Sequence, residues 1–122
     1  MTDNIEYVWL DGNICPLSEV SVSPLSYSLN YGFGCFEGIR AYKTHQGVAI
    51  FRLDSHLTRF RHSAKILGLD ISFDEKTLIQ AHIDVLKANH LDNAYLRLLC
   101  YIDEGLWLYA KNLTSKIFIA AR

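Results

Sequence analysis

Cysteine is scarce and odd in number: Cys15, Cys35 and Cys100 stand far apart, with no Cys-x-x-Cys pair. That excludes a disulfide framework and a zinc ribbon. Long apolar runs are missing, and no stretch approaches the roughly 20 residues that cross a bilayer. The opening Met1-Thr2-Asp3-Asn4-Ile5-Glu6 is acidic and lacks the cationic head and apolar core of a signal peptide. Neither sign of charge is in excess, with 12 Lys and Arg against 13 Asp and Glu and a net charge of −1. A non-specific nucleic-acid binder or a polybasic membrane anchor needs a basic surplus. The five histidines (His45, His56, His62, His82, His90) form no His-Glu-x-x-His or other ligand spacing, and no Gly-x-Ser-x-Gly or P-loop occurs. The expectation is a reduced, cytoplasmic protein without metal, nucleic-acid or membrane partner.

What is present is a foldable core. Half of the 122 residues are hydrophobic and 20% are charged, the make-up of one ordinary domain that buries roughly two-thirds of its unfolded surface. Glu6–Leu10 and Ile14–Leu17 flank Asp11-Gly12-Asn13, a hairpin signal, with Pro16 marking an edge. A serine-rich connection, Ser18 to Leu29, leads into the glycine-aromatic loop Asn30-Tyr31-Gly32-Phe33-Gly34. Phe36 to Tyr42 alternates as a strand, with Phe36, Gly38, Arg40 and Tyr42 on one face and Glu37, Ile39 and Ala41 on the other. His45-Gln46-Gly47 turns the chain into Val48–Phe51. Asp54 or Ser55 is placed to cap a helix ending at Leu67 before Gly68, with Leu57, Phe60, Ala64 and Leu67 inward. Ser72-Phe73-Asp74-Glu75 reads as a capping box before a second helix with Ile79, Ile83 and Leu86 on its main stripe, Leu78 and Val85 widening it, and His82 on its flank. Ala94–Ile102 is a strand, Asp103–Thr114 a loop containing Trp107, and Lys116–Ala121 a last strand. The fold class is α+β, a mainly antiparallel sheet with two helices packed on one face.

Two arginines stand out. Arg59 lies on the first helix, off its core row, and its planar paired donors suit a phosphate or carboxylate, or simply water. Arg97 interrupts an apolar strand and shares a face with Tyr95, Leu99 and Tyr101. If both faces are covered it needs an anionic partner, either a ligand carboxylate or one of Glu37, Asp103 and Glu104. Arg40 poses the same question.

Tyr31-Gly32-Phe33-Gly34-Cys35-Phe36-Glu37-Gly38-Ile39-Arg40-Ala41-Tyr42 resembles the class IV (fold type IV) pyridoxal-phosphate aminotransferases, in their branched-chain amino acid version. Tyr7-Val8-Trp9-Leu10-Asp11-Gly12 is similar to that family's opening hairpin. Phe51-Arg52-Leu53-Asp54-Ser55-His56-Leu57-Thr58-Arg59-Phe60 is similar to the segment bearing its phosphate-binding arginine, and Ala94-Tyr95-Leu96-Arg97 to a strand of substrate contacts. The resemblance implies that Arg59 grips the phosphate of pyridoxal 5'-phosphate. Tyr95 and Arg97 would meet substrate carboxylates, and Phe36 would wall the aliphatic pocket. Tyr31 would reach a neighbouring subunit's site, so a homodimer or higher homo-oligomer is implied, and Arg40 joins the substrate-binding set. Arg59 and Arg97 should then border one shared cleft.

The same resemblance sets a limit. The family's Schiff-base lysine lies in a larger C-terminal domain, and none of Lys43, Lys65, Lys76, Lys87, Lys111 and Lys116 has a matching context. Residues 1–122 therefore read as the small N-terminal domain, with no catalytic residue of their own and no activity expected alone. The whole enzyme would move the amino group of Leu, Ile or Val to 2-oxoglutarate. The competing readings are a D-amino-acid transaminase or aminodeoxychorismate lyase of the same fold, or a non-catalytic binding or dimerisation module.

Overall fold

The structure, a computed structural model, describes residues 5–105 and 114–122. The expected loop containing Trp107, and Lys111 with it, lies largely outside the described residues. β1 (Tyr7–Leu10) and β2 (Asn13–Pro16) form the expected hairpin. Its two-residue turn places Asp11 at φ 46° and Gly12 at φ 113°, the left-handed pair that matches strand twist. After a short 3-10 turn (Leu17–Glu19) come α1 (Tyr27–Tyr31), β3 (Gly34–Thr44), β4 (Gly47–Ile50), α2 (Leu53–Leu67), α3 (Glu75–Ala88), β5 (Ala94–Ile102) and β6 (Ser115–Ala121). Every pairing is antiparallel, and the order across the sheet is β2-β1-β6-β5-β3-β4.

Alternation decides which face is covered. Glu37, Ile39 and Ala41 of β3, Leu96, Leu98 and Cys100 of β5, and Ile117, Ile119 and Ala121 of β6 are all buried. Apart from Glu37, they form one core with Leu57, Phe60 and Ala64 of α2 and Leu78, Ala81 and Val85 of α3. A large side chain such as Phe60, fully buried here, contributes roughly 1.5–3 kcal/mol through area removed from water. α2 lies under β3, and α3 under β1, β2 and β6. The opposite face, with Phe36, Arg40, Tyr42 and Arg97, is exposed. On this face Tyr95 is half-buried, and the Tyr101 end is sheltered where Leu29, Gly32 and Phe33 approach Leu99 and Tyr101.

Three local expectations change. α2 starts at Leu53 after Arg52, whose backbone is left-handed (φ 52°) and whose side chain makes no capping bond, so neither Asp54 nor Ser55 is the cap. The cap of α3 is Asp74, which accepts from the Thr77 N–H at 2.8 Å, and not Ser72. The buried stripe of α3 is Leu78, Ala81, His82, Val85 and Leu86, with Ile79 and Ile83 only half-buried. The apolar arc of this helix is broad, and docking on β1 and β6 selects one side of it.

That rotation places His82, expected on a flank, at 0% exposure. Its Nδ1 donates to the Leu78 carbonyl at 2.6 Å, and Nε2 has no partner among the described residues. Burial disfavours the imidazolium and pulls its pKa down to about 4. The three cysteines are free thiols, as expected, and Cys35 faces Cys100 across β3 and β5.

Candidate functional site

Glu37 sits near the start of β3, on the core face, and is 4% exposed. A buried carboxylate must be compensated. Two residues about one helical turn apart on α2 provide for it. Arg59 donates through Nη2 to Oε1 at 2.7 Å and through Nε to Oε2 at 2.9 Å, and His56 places Nδ1 2.7 Å from Oε1. Burial alone pushes the Glu37 pKa up, but the hydrogen bonds from Arg59 and His56 outweigh it and hold the carboxyl below its ordinary range. Glu37 in turn raises the pKa of Arg59. The pair fixes one edge of the guanidinium. The Arg59 side chain remains 68% exposed, so Nη1 and the second Nη2 hydrogen are presented outward. Such a donor set suits the oxygens of a phosphate.

On the opposite face, Arg97 follows a different plan. Its Nε and Nη2 donate to the Tyr95 hydroxyl at 3.0 and 2.8 Å. Its guanidinium carbon lies 4.2 Å from the centroid of the Phe36 ring and 5.6 Å from that of Tyr95, within cation–π range. Arg97 is exposed, because this face is open among the described residues, and no acidic side chain described here neutralises it. Glu37 is taken by Arg59 and His56, and Asp103 pairs with Lys116 at 3.4 Å. The ion pairs weighed for Arg97 with Glu37, Asp103 or Glu104 do not form. Tyr95 and Arg97 line a shallow pocket of about 210 Å³ with Ile5, Ala120, Ala121 and Arg122. A larger cavity of about 520 Å³ lies elsewhere, between β4 and the end of α3, and contains none of the candidate residues.

Arg40 is exposed on this face, opposite Tyr95 in the ladder, and its guanidinium has no partner among the described residues. Tyr31 ends α1, its ring edge-on to Tyr27 at 4.8 Å. Of the described lysines, Lys43, Lys65, Lys76 and Lys87 are exposed and Lys116 pairs with Asp103. Among the described residues no His, Cys, Asp and Glu cluster has the arrangement of a metal site. No helix there is long and apolar enough to cross a membrane.

Arg59, on α2 against core-face Glu37, and Arg97, on the open face of β5, thus lie on opposite sides of the sheet, and the described residues do not form the one shared cleft expected of them. β4 pairs only with Ala41–Thr44 of β3. From Gly34 to Ile39 the outer edge of β3 has no described strand beside it.

Two members of the site escape sequence reasoning. In the sequence, Glu37 is placed on the Ile39 and Ala41 face and offered as a partner for Arg97, and His56 enters only among histidines without ligand spacing and within the segment around Arg59. The available signal is parity. Glu37 alternates with Ile39 and Ala41, so it enters the core face, while His56 and Arg59 are spaced to meet it from one turn of a helix.

The family model described as amino-transferase class IV matches residues 34–122. The branched-chain-amino-acid aminotransferase of Pseudomonas aeruginosa is 37% identical over 122 residues, covering 99% of this chain and 40% of that protein. Among solved structures, the branched-chain amino acid aminotransferase of Escherichia coli superposes with a TM-score of 0.93 at 32% identity, over 98% of this chain and 40% of that one. The branched-chain amino acid aminotransferase of Thermobaculum terrenum, in its PLP-form, superposes with a TM-score of 0.86 at 28% identity, over 99% of this chain and 41% of that one. The chain spans about two-fifths of the length of these relatives.

Proposed function

Because the chain belongs to the class IV aminotransferase family, we propose that the protein of which it forms part transfers the amino group of leucine, isoleucine or valine to 2-oxoglutarate. Residues 1–122 are its small N-terminal domain. The lysine that carries the cofactor belongs to the remaining three-fifths suggested by the relatives' length. The protein works as a cytoplasmic homodimer or higher homo-oligomer, with Tyr31 serving a neighbouring subunit's site.

The observation that carries this reading is Arg97, with no acidic side chain to neutralise it among the described residues, held by Tyr95 and laid on the Phe36 ring. A branched-chain aminotransferase must accept an aliphatic side chain in one half-reaction and a carboxylate-bearing one in the other. Phe36 offers apolar area to the first. Arg97 offers paired donors to the second, and the Tyr95 hydroxyl, which accepts twice from Arg97, keeps its own proton to donate. Arg40 adds a second cation on that face.

Arg59 fits the phosphate of pyridoxal 5'-phosphate, since its outward N–H groups face solvent and its inner edge is locked by Glu37. When bound, that cofactor supplies the electron sink for amino transfer. This chain binds and orients: Arg59 holds the phosphate end, Glu37 and His56 hold Arg59, and Phe36, Tyr95 and Arg97 receive the substrate. With no lysine suitably placed among the described residues, the 122 residues alone are expected to show no turnover.

The test is an assay of the full-length protein with 2-oxoglutarate as acceptor and L-leucine or D-alanine as donor. Leucine is expected to be consumed with formation of glutamate. Faster transfer from D-alanine, or from neither donor, overturns the reading.

A further inference from the structure

Gly38 lies on the open face of β3, directly across from Arg97 in the ladder with β5. Its backbone does not require glycine, since it is not among the positive-φ residues. Space does require it. A Cβ at Gly38 would stand 2.7 Å from the Tyr95 hydroxyl oxygen, 3.1 Å from Tyr95 Cε2 and 3.3 Å from Cζ. Real carbon contacts are not that close, so the phenol of Tyr95 rests where a side chain would otherwise be.

What rests there matters to Arg97. The Tyr95 hydroxyl is the acceptor for both Nε and Nη2 of Arg97. A guanidinium on a long flexible stem loses rotamer freedom when it is aimed, and an anchored acceptor lowers the amount lost on binding a ligand. Phe36, two residues before Gly38 on the same face, supplies the floor under the guanidinium. The bare backbone at 38 therefore sets the phenol, and the phenol sets the cation.

We propose that Gly38 is a specificity-determining positioning residue. By leaving room for the Tyr95 phenol it aims Arg97, and so governs how well the site takes a side chain ending in carboxylate relative to an aliphatic one. This rests on the reading of Arg97 as the receptor for that second carboxylate. Gly38 itself touches no reacting atom.

The experiment uses the full-length protein with its cofactor and three variants: Gly38→Ala, Tyr95→Phe and the two combined. KM and kcat are measured for glutamate and leucine. Dissociation constants are measured by calorimetry for glutarate, an unreactive dicarboxylate, and for 4-methylvalerate, its aliphatic counterpart. Gly38→Ala is expected to raise KM for glutamate and Kd for glutarate about tenfold, the scale of one charge-assisted hydrogen bond. Values for leucine and 4-methylvalerate should move less than about threefold, and kcat should hold. Tyr95→Phe removes the acceptor for Arg97 together with a hydroxyl of the substrate site, so it is expected to weaken both ligand classes and glutarate the more. Adding Gly38→Ala to it should cost less than about twofold more, because residues acting through one bond do not add.

Equal losses for both ligand classes in Gly38→Ala, additive losses in the double variant, or no loss in Gly38→Ala each overturn the proposal. If Gly38→Ala alone does not fold, the double variant, in which the 2.7 Å contact is gone, is compared with Tyr95→Phe, and further loss of glutarate affinity overturns it. A wild-type protein that transfers no amino group from leucine refutes the underlying reading. An active wild type with an unaltered Gly38→Ala variant refutes only the role of Gly38.

Discussion

The carboxylate of Glu37 and the guanidinium of Arg59 meet side-on, Nη2 to Oε1 at 2.7 Å and Nε to Oε2 at 2.9 Å, with the acid buried and the base largely in solvent. One partner is thereby fixed in the core while the other projects beyond it. Glu37→Gln keeps the shape and removes the charge. It is expected to lower Tm by a few degrees and to weaken retention of pyridoxal phosphate by the full-length protein about tenfold, since charge-assisted bonds are roughly twice as strong as neutral ones. Equilibrium dialysis reads the second effect. Unchanged retention would remove Glu37 from the site.

Arg59→Ala should abolish retention of the cofactor at micromolar concentration, and Arg59→Lys should restore it only partly. An ammonium cannot both span the Glu37 carboxylate and present paired donors outward. Full restoration by lysine would show that charge alone suffices there.

His82 makes stability depend on pH. Its pKa is near 6.5 unfolded and about 4 folded, so the unfolded chain binds more protons between those values and stability falls as pH falls through that window. The full effect is of order 3 kcal/mol at the acid end. Glu37, whose folded pKa is lowered, adds its own loss as pH falls below the ordinary carboxylate range. Denaturant unfolding at about pH 7 and about pH 4.5 should therefore differ for the wild type and differ much less for His82→Leu. A wild-type curve that is flat over this window would be inconsistent with a buried neutral imidazole.

The one-sided core is open to a simple comparison. Leu98 is fully buried and Tyr42 is 45% exposed on the other face. Leu98→Ala is expected to cost about 3 kcal/mol, and Tyr42→Ala less than about 1 kcal/mol. Similar losses at both positions would mean that the second face is covered too.

Much of this architecture is readable in the sequence because periodicity and turn chemistry agree. Asp11-Gly12 between two apolar runs specifies the first hairpin. The strict alternation of Phe36–Tyr42 and Tyr95–Ile102 assigns every residue of both strands to the face it occupies. The errors lie where several local signals compete. Ser72 and Asp74 both offer cap chemistry, and only the extended backbone of Asp74 (φ −75°, ψ 170°) lets its side chain reach the Thr77 N–H. Leu78, Ile79, Ile83 and Leu86 allow more than one inward stripe, and the sheet beneath α3 makes the choice. The site is half legible. Arg59 and Arg97 stand out by pattern, but Glu37 and His56 meet only when a strand and a helix distant in sequence are brought together. The separation of the two arginines across the sheet depends on side-chain direction, which no motif records.

The position of β6 bears on how the molecule is made. It follows every other described strand in sequence, yet it lies inside the sheet, joining β1 to β5. During synthesis the opening hairpin has no strand to dock on, and β5 keeps an open flank, until residues 115–121 emerge. Assembly therefore cannot proceed in step with the ribosome. It awaits a late closing piece, and a nascent chain stalled short of it leaves two sticky strand edges for a chaperone to shield.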